Sequence, residues 1–206
     1  MDTWTSLKNG REAFADYLAT LQPDDWDMPS LCSAWSVKEV AAHMLVIPTK
    51  GKGEIFRNFF VSGFNLDKMN AKFVRQISAS MTPAQIVAAT RSSAGSHGRP
   101  PGLALPGVFN ELVVHSQDIA VAVGRPFALP TEDYVASLEH LKKTEPVFKS
   151  KSRVAGLRLR ATDADWSNGD GPLVEGPIQQ LVLAVAGRPS AIAGLTGDGV
   201  ATFASR

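Results

Sequence analysis

Two segments carry the side chains best suited to chemistry. The first, WSVKEVAAHM, holds His43, and the second, FNELVVHSQDIA, holds Glu111 and His115. A Glu and a His four residues apart project from one face of a helix. A second helix that brings one more His completes a set of one carboxylate and two imidazoles. Such a set suits Zn²⁺ or another divalent ion and leaves positions open for water or a thiol. His43, read alone, also fits an interior histidine satisfied by hydrogen bonds. Leu112, Ile119 and Ala122 accompany the Glu111–His115 pair on neighbouring helical positions, so both side chains are expected to face inward. An inward carboxylate is costly unless paired or ligated. An internal Glu–His hydrogen bond satisfies that demand as well as a metal does, and the spacing leaves both readings open.

Other candidates are weaker. Asp118, three residues beyond His115, can orient an imidazole or support the local backbone. His97 sits in a Gly/Pro loop and His140 in the charged run EHLKK, and both are expected at the surface. Cys32 lacks a Cys-x-x-Cys or Cys–His pattern and reads as a small interior thiol. No phosphate-cradling glycine loop and no GxSxG elbow occurs.

The elements that must position these residues are mostly helical. Trp4, Leu7, Phe14, Leu18 and Leu21 form one apolar stripe, with Arg11 filling one of its slots. Ser36 and Glu39 make a capping box, so a helix starts at Val37 and stops near Pro48. Helices are expected over 54–62 and 65–80. Another begins after Thr82 with Pro83 at its first position and runs to about Ser93. The Gly/Pro segment 94–107 is the longest loop-like stretch before the helix 108–123, and invites the guess of a lid. Gly124 ends that helix, and one more spans about Glu132–Glu145. Beyond Lys149–Arg153 the pattern changes. Val154–Ala161 alternates as a strand, SNGDG at 167–171 reads as a hairpin-type turn, 178–186 as a short apolar helix, and Val200–Phe203 as a returning strand. The expected architecture is mainly α: an antiparallel helical bundle over 1–148, followed by a small α+β unit over 154–206.

Bulk properties narrow the function classes. The chain has 206 residues, room for one good-sized core or a domain with a small appendage. Its 21 basic and 20 acidic residues are well mixed, with no basic stripe, so no nucleic-acid partner is expected. No apolar run reaches a membrane span, and the N-terminus lacks a signal-type apolar core. The single cysteine precludes an internal disulfide and fits a reducing compartment. A soluble, cytoplasmic protein without a membrane partner is the expectation, as a monomer or homodimer.

The segments DWDMPSLCSAWSVKEVAAHM and ELVVHSQDIAVAVGRP resemble the mycothiol-dependent maleylpyruvate isomerase family, part of the wider DinB/YfiT-like superfamily of metal-holding four-helix bundles. The C-terminal LRATDADWSNGDGP and VAGRPSAIAGLTGDGVATF resemble that family's small C-terminal domain. The resemblance implies a DinB-like bundle with a metal triad of His43, Glu111 and His115, Zn²⁺ first among the candidate ions. It also implies mycothiol or a similar thiol as cofactor and a small electrophilic substrate. Arg188, in AGRP, matches an arginine of the family that can bind an anionic group, and its plainer role is to cap a helix C-terminus.

The implied reaction adds a thiolate to an activated cis double bond, lets the bond rotate, and expels the thiol to leave the trans isomer. S-transfer by the same thiolate is a variant. Two other classes stand beside it. One is a non-catalytic metal- or ligand-binding protein with a closed shell completed by Asp118 or His97. The other is a metal-dependent hydrolase of the superfamily.

Overall fold

The computed structural model describes residues 2–32, 34–99, 103–145 and 149–206. Residues 100–102 of the 94–107 segment read as a lid lie outside them, and the helix expected to reach Glu145 ends at Leu141. Chain contacts divide the protein into two compact units, residues 1–127 and 128–206.

The first unit is helical. Helix α1 (Thr3–Leu18) is capped by Asp2 and buries the stripe seen in the sequence: Leu7, Phe14 and Leu18 are sealed from solvent. A short 3-10 turn, Pro23–Asp27, buries Trp26. Helix α2 (Val37–Met44) begins with the Ser36/Glu39 capping box, both reciprocal bonds being present. The helix expected to run on to Pro48 is interrupted at Leu45, and a separate turn, α3 (Val46–Thr49), follows. Pro48 has no N–H to give the carbonyl of Met44, so the ladder breaks there. Helices α4 (Lys52–Val61) and α5 (Leu66–Ser80) match the expected spans, and the chain turns between them at Gly63 and Phe64, both with positive φ. Helix α6 (Pro83–Ser92) carries the Thr82/Gln85 capping box with proline in its first turn.

Helix α7 (Leu105–Ala122) starts three residues before the expected Val108, with Pro106 tolerated in its first turn. Thirteen of its 18 residues are buried, so it is the central helix of the unit. Helix α1 packs on α6 and α7, and α2 packs on α5 and α7. The core thus forms where α1 and α2 pack on α7, with α6 against α1 and α5 against α2, the helical-bundle architecture the apolar patterning called for.

The second unit contains helix α8 (Thr131–Leu141), which the sequence grouped with the bundle over 1–148. It packs on α10 (Ile178–Val185), which is why the units separate after Phe127. Between them lie α9 (Ser150–Val154) and strands β1 (Arg158–Ala161), β2 (Ser167–Asn168) and β3 (Leu173–Gly176). The sheet order is β2-β1-β3, with β1 antiparallel to β2 and parallel to β3. Three expectations are corrected here. The strand over 154–161 is only its second half, because the chain is helical through Val154 and then turns at Gly156, whose φ is 67°. The turn read in SNGDG is instead partly strand β2; the β1–β2 hairpin closes earlier, with Ala161 donating to Trp166. At Gly169 a Cβ would lie 2.1 Å from the Leu157 carbonyl oxygen, which explains the glycine. The expected C-terminal strand, Val200–Phe203, is helix α11 (Val200–Ala204), with Phe203 as its buried anchor. Periodicity over four residues could not separate the two. Among the described residues no helix is long and apolar enough to cross a membrane.

Candidate metal centre

The capping box at Ser36 sets where α2 starts, and with it the register that places His43 in the last turn, turned towards α7. On α7, Glu111 and His115 lie one turn apart. The structure brings all three together. His43 Nε2 lies 2.9 Å from Glu111 Oε2, and His115 Nε2 lies 3.5 Å from the same oxygen. The two imidazoles meet edge to face, with centroids 5.0 Å apart. One nitrogen or carboxylate oxygen from each residue lies within 4.8 Å of the others, the spacing of a group able to hold a metal ion. Both histidines are buried, and the Glu111 side chain is 23% exposed, which leaves the carboxylate side of the group reachable.

Three further contacts hold these side chains. The fully buried Asp118 accepts a hydrogen bond from His115 Nδ1 at 2.9 Å. This fixes the His115 tautomer and aims Nε2 at Glu111. The Asp118 carbonyl in turn accepts from the Leu31 N–H, tying α7 to the loop before α2. From that loop the Trp35 ring lies 4.7 Å from the His43 ring. The Nδ1 of His43 has no hydrogen-bond partner, so packing between Trp35 and His115 holds that ring.

The electrostatics follow from this wiring. Burial pushes the His115 imidazole down, but hydrogen bonds to Asp118 and Glu111 outweigh it and raise its pKa to about 9. For His43 burial wins over the Glu111 contact, and its pKa is lowered. Burial raises the Glu111 carboxyl, yet the hydrogen bonds from both imidazoles hold it well below the usual carboxylate range. With His115 Nδ1–H given to Asp118, an unprotonated Nε2 would set its lone pair against the Glu111 carboxylate. Something positive belongs between them. A proton fills that place in the metal-free protein, and a divalent cation is the other group whose charge and ligand preferences match it.

The remaining candidates fall elsewhere. His97 stacks flat on Trp4, 4.2 Å between centroids and 8° between planes. His140 lies on α8 of the second unit, partly exposed. Arg188 also lies in the second unit, at the C-terminal end of α10. There its Nη1 donates to the Ala186 carbonyl at 2.9 Å, a cap that the helix dipole favours. Cys32 is not the sealed thiol expected: it is partly exposed, and it forms a second ligand-type group with His115 and Asp118, again within 4.8 Å. No spacing rule links Cys32 to His115 across 83 positions of chain, so sequence alone could not pair them.

Sequence reasoning also passed over Arg11. Its guanidinium, 7% exposed, lies among the apolar side chains of the α1 stripe and lines a cavity of about 30 Å³ together with His43 and Glu111. The signal was present as a lone cation in an otherwise apolar helical stripe.

A helical bundle whose central helix supplies a Glu and a His, with a second His opposite, joined to a small α+β unit, defines the class of protein. Residues 7–58 match the family model described as the mycothiol maleylpyruvate isomerase N-terminal domain. The fold as a whole is similar to the crystal structure of the mycothiol-dependent maleylpyruvate isomerase. Identity is 17%, the TM-score is 0.62, and the match covers 95% of this chain and 91% of that one. A histidine-to-alanine mutant of that isomerase superposes equally well, with a TM-score of 0.61 and 17% identity. No curated protein sequence matches significantly. The family that the sequence motifs resemble is thus also the one whose N-terminal domain model matches residues 7–58 and whose solved member has a similar fold.

Proposed function

We propose that this protein is a divalent-metal, thiol-dependent enzyme of the mycothiol maleylpyruvate isomerase type, acting on a small electrophilic substrate. The observation that supports it best is the convergence of His43 Nε2, Glu111 Oε2 and His115 Nε2, with one carboxylate side open and His115 anchored from behind by Asp118. A bound divalent ion would supply a positive field that favours the thiolate form of a thiol reaching it. Glu111 and the two imidazoles would hold that ion, with Zn²⁺ the first candidate. Asp118 keeps the His115 lone pair directed at the group, and the Trp35 ring packs against the His43 ring.

The chemistry this arrangement serves is addition and elimination. Thiolate sulfur bonds to one carbon of a conjugated cis double bond, and the electron pair moves onto the activating group. The former double bond rotates as a single bond. Expulsion of the same thiolate restores the double bond as trans, with no net change in atoms. Displacement of a leaving group by that thiolate would make the protein an S-transferase instead. By resemblance to the family, Arg188 would bind an anionic group; within its own unit it caps the C-terminus of α10.

One observation favours a second reading. The group Cys32–His115–Asp118 would form a thiolate-containing structural site rather than an open one.

Absorbance of the Co²⁺-substituted protein during titration with mycothiol separates these readings. A sulfur-to-cobalt charge-transfer band that grows with thiol and is absent in His43→Ala supports the open, thiol-activating centre. Cobalt binding with no thiol-dependent band overturns thiol activation and leaves a hydrolase or a binding module.

A further inference from the structure

The residue that the proposed chemistry leaves unexplained is Arg11. It occupies the middle of the buried stripe of α1, between Leu7 and Phe14, both sealed from solvent. A leucine there would continue the stripe at no desolvation penalty, whereas burying a cation is costly unless it is compensated. The compensation is incomplete. Nη1 donates to the backbone carbonyls of Ala94, at 3.2 Å, and Ser96, at 2.8 Å. No carboxylate among the described residues pairs with the guanidinium. The nearby Glu111 is committed to His43 and His115. Burial lowers the Arg11 pKa to about 10, so the group stays cationic at neutral pH. Two carbonyls use one terminal nitrogen of a fork that carries five N–H donors.

The position of this cation is informative. Arg11 lines the same cavity as His43 and Glu111, walled further by Met44, Pro48 and Val108. At about 30 Å³ the cavity holds the equivalent of about two or three waters. A carboxylate head is of that size. Guanidinium is the side chain whose planar fork matches a carboxylate.

We infer that Arg11 is an anion-binding residue that takes the carboxylate of the substrate into the cavity beside His43 and Glu111. The inference rests on the proposed function of the same centre, which gives Arg11 no role.

Formate serves as the probe, with the full-length chain stripped of metal by chelation so that the anion cannot bind a metal instead. Its binding is followed by calorimetry in the unsubstituted protein, Arg11→Met and Arg11→Lys, while Co²⁺ affinity is measured in parallel. Arg11→Met is expected to weaken formate about 10- to 100-fold, the worth of a charge-assisted hydrogen bond. Arg11→Lys is expected to recover part of it, and Co²⁺ affinity should stay level in both. Equal formate binding in all three proteins overturns the inference and leaves Arg11 as a clamp between α1 and the segment after α6. Should Arg11→Met not fold, the Nε–H signal of ¹⁵N-arginine-labelled unsubstituted protein decides. A saturable shift with formate supports the subsite, and none overturns it. Formate binding at Arg11 without Co²⁺ binding would remove the metal and keep the anion site. Co²⁺ binding without formate binding would do the reverse.

Discussion

His115 donates Nδ1–H to the fully buried carboxylate of Asp118, 2.9 Å away, on the next turn of the same helix. The whole candidate centre depends on this bond, because it decides which nitrogen of His115 faces Glu111. Asp118→Asn keeps the shape but removes the charge, and lets the imidazole take either tautomer. Outer partners of metal-bound histidines are typically worth roughly 10- to 100-fold in affinity. A loss of that size in a competitive Co²⁺ titration is expected for Asp118→Asn. Unchanged affinity would mean that His115 is not a ligand.

The same bond sets a pH dependence in the metal-free protein. The His115 pKa is raised to about 9 in the folded state, against about 6.5 in the unfolded chain. A raised base contributes stability that is fully present below the unfolded value and is lost as pH rises through the folded one. Metal-stripped protein should therefore lose stability, by at most a few kcal/mol, between about pH 6.5 and 9. Urea midpoints across that window measure it, and His115→Gln should flatten the slope. An equal slope in His115→Gln would place the titrating group elsewhere.

Much of this centre was legible in the chain. Glu111 and His115 share a helix face by spacing alone, and the capping box at Ser36 set the register of His43. What the sequence concealed depended on contacts between distant segments. The placement of Cys32 near His115 and Asp118 comes from residues 29–32, which the Leu31–Asp118 hydrogen bond ties to α7. Arg11 was visible as an interruption of a stripe, but its cavity forms only when α1, α2 and α7 pack together. The assignment of α8 to the second unit was hidden for a similar reason. Its apolar face is equally suited to a bundle or to α10, and only packing chooses. At Val200–Phe203 the short apolar run fitted both periods, and the buried Phe203 anchors a helix.

Glu111 is the hinge of charge in the cluster, since both imidazoles contact one of its oxygens. Glu111→Gln keeps the volume and removes the anion. In that variant the His115 pKa should fall, because one of the two carboxylates that raise it is gone. Two-dimensional NMR of the imidazole C–H signals reads this directly. Co²⁺ binding should weaken by at least roughly tenfold, as expected when a charged ligand becomes neutral. A His115 titration unmoved by the substitution would mean that Asp118 alone sets it.

The capping box of α6 offers a control away from the site. Thr82 accepts from Gln85 N–H and Gln85 accepts from Thr82 N–H. Thr82→Ala should cost about 1 kcal/mol of unfolding free energy. Co²⁺ affinity should be unaffected, since neither residue belongs to either ligand group. A change in affinity would show that the α6 terminus is coupled to the centre.

The two overlapping ligand groups compete for His115 and cannot both use it in one arrangement. Nδ1 is already committed to Asp118, so the free lone pair of His115 lies on the Glu111 side. An ion should therefore settle among His43, Glu111 and His115, with Cys32 outside its ligand set. Cd²⁺ or Co²⁺ protein should then show no sulfur-to-metal charge-transfer band until an external thiol is added, and Cys32→Ser should bind either ion with nearly unchanged affinity. A band present without thiol and abolished by Cys32→Ser would place the ion in the Cys32–His115–Asp118 group. That outcome requires His115 Nδ1 to give up the proton it shares with Asp118, so the same sample should lose the raised His115 pKa.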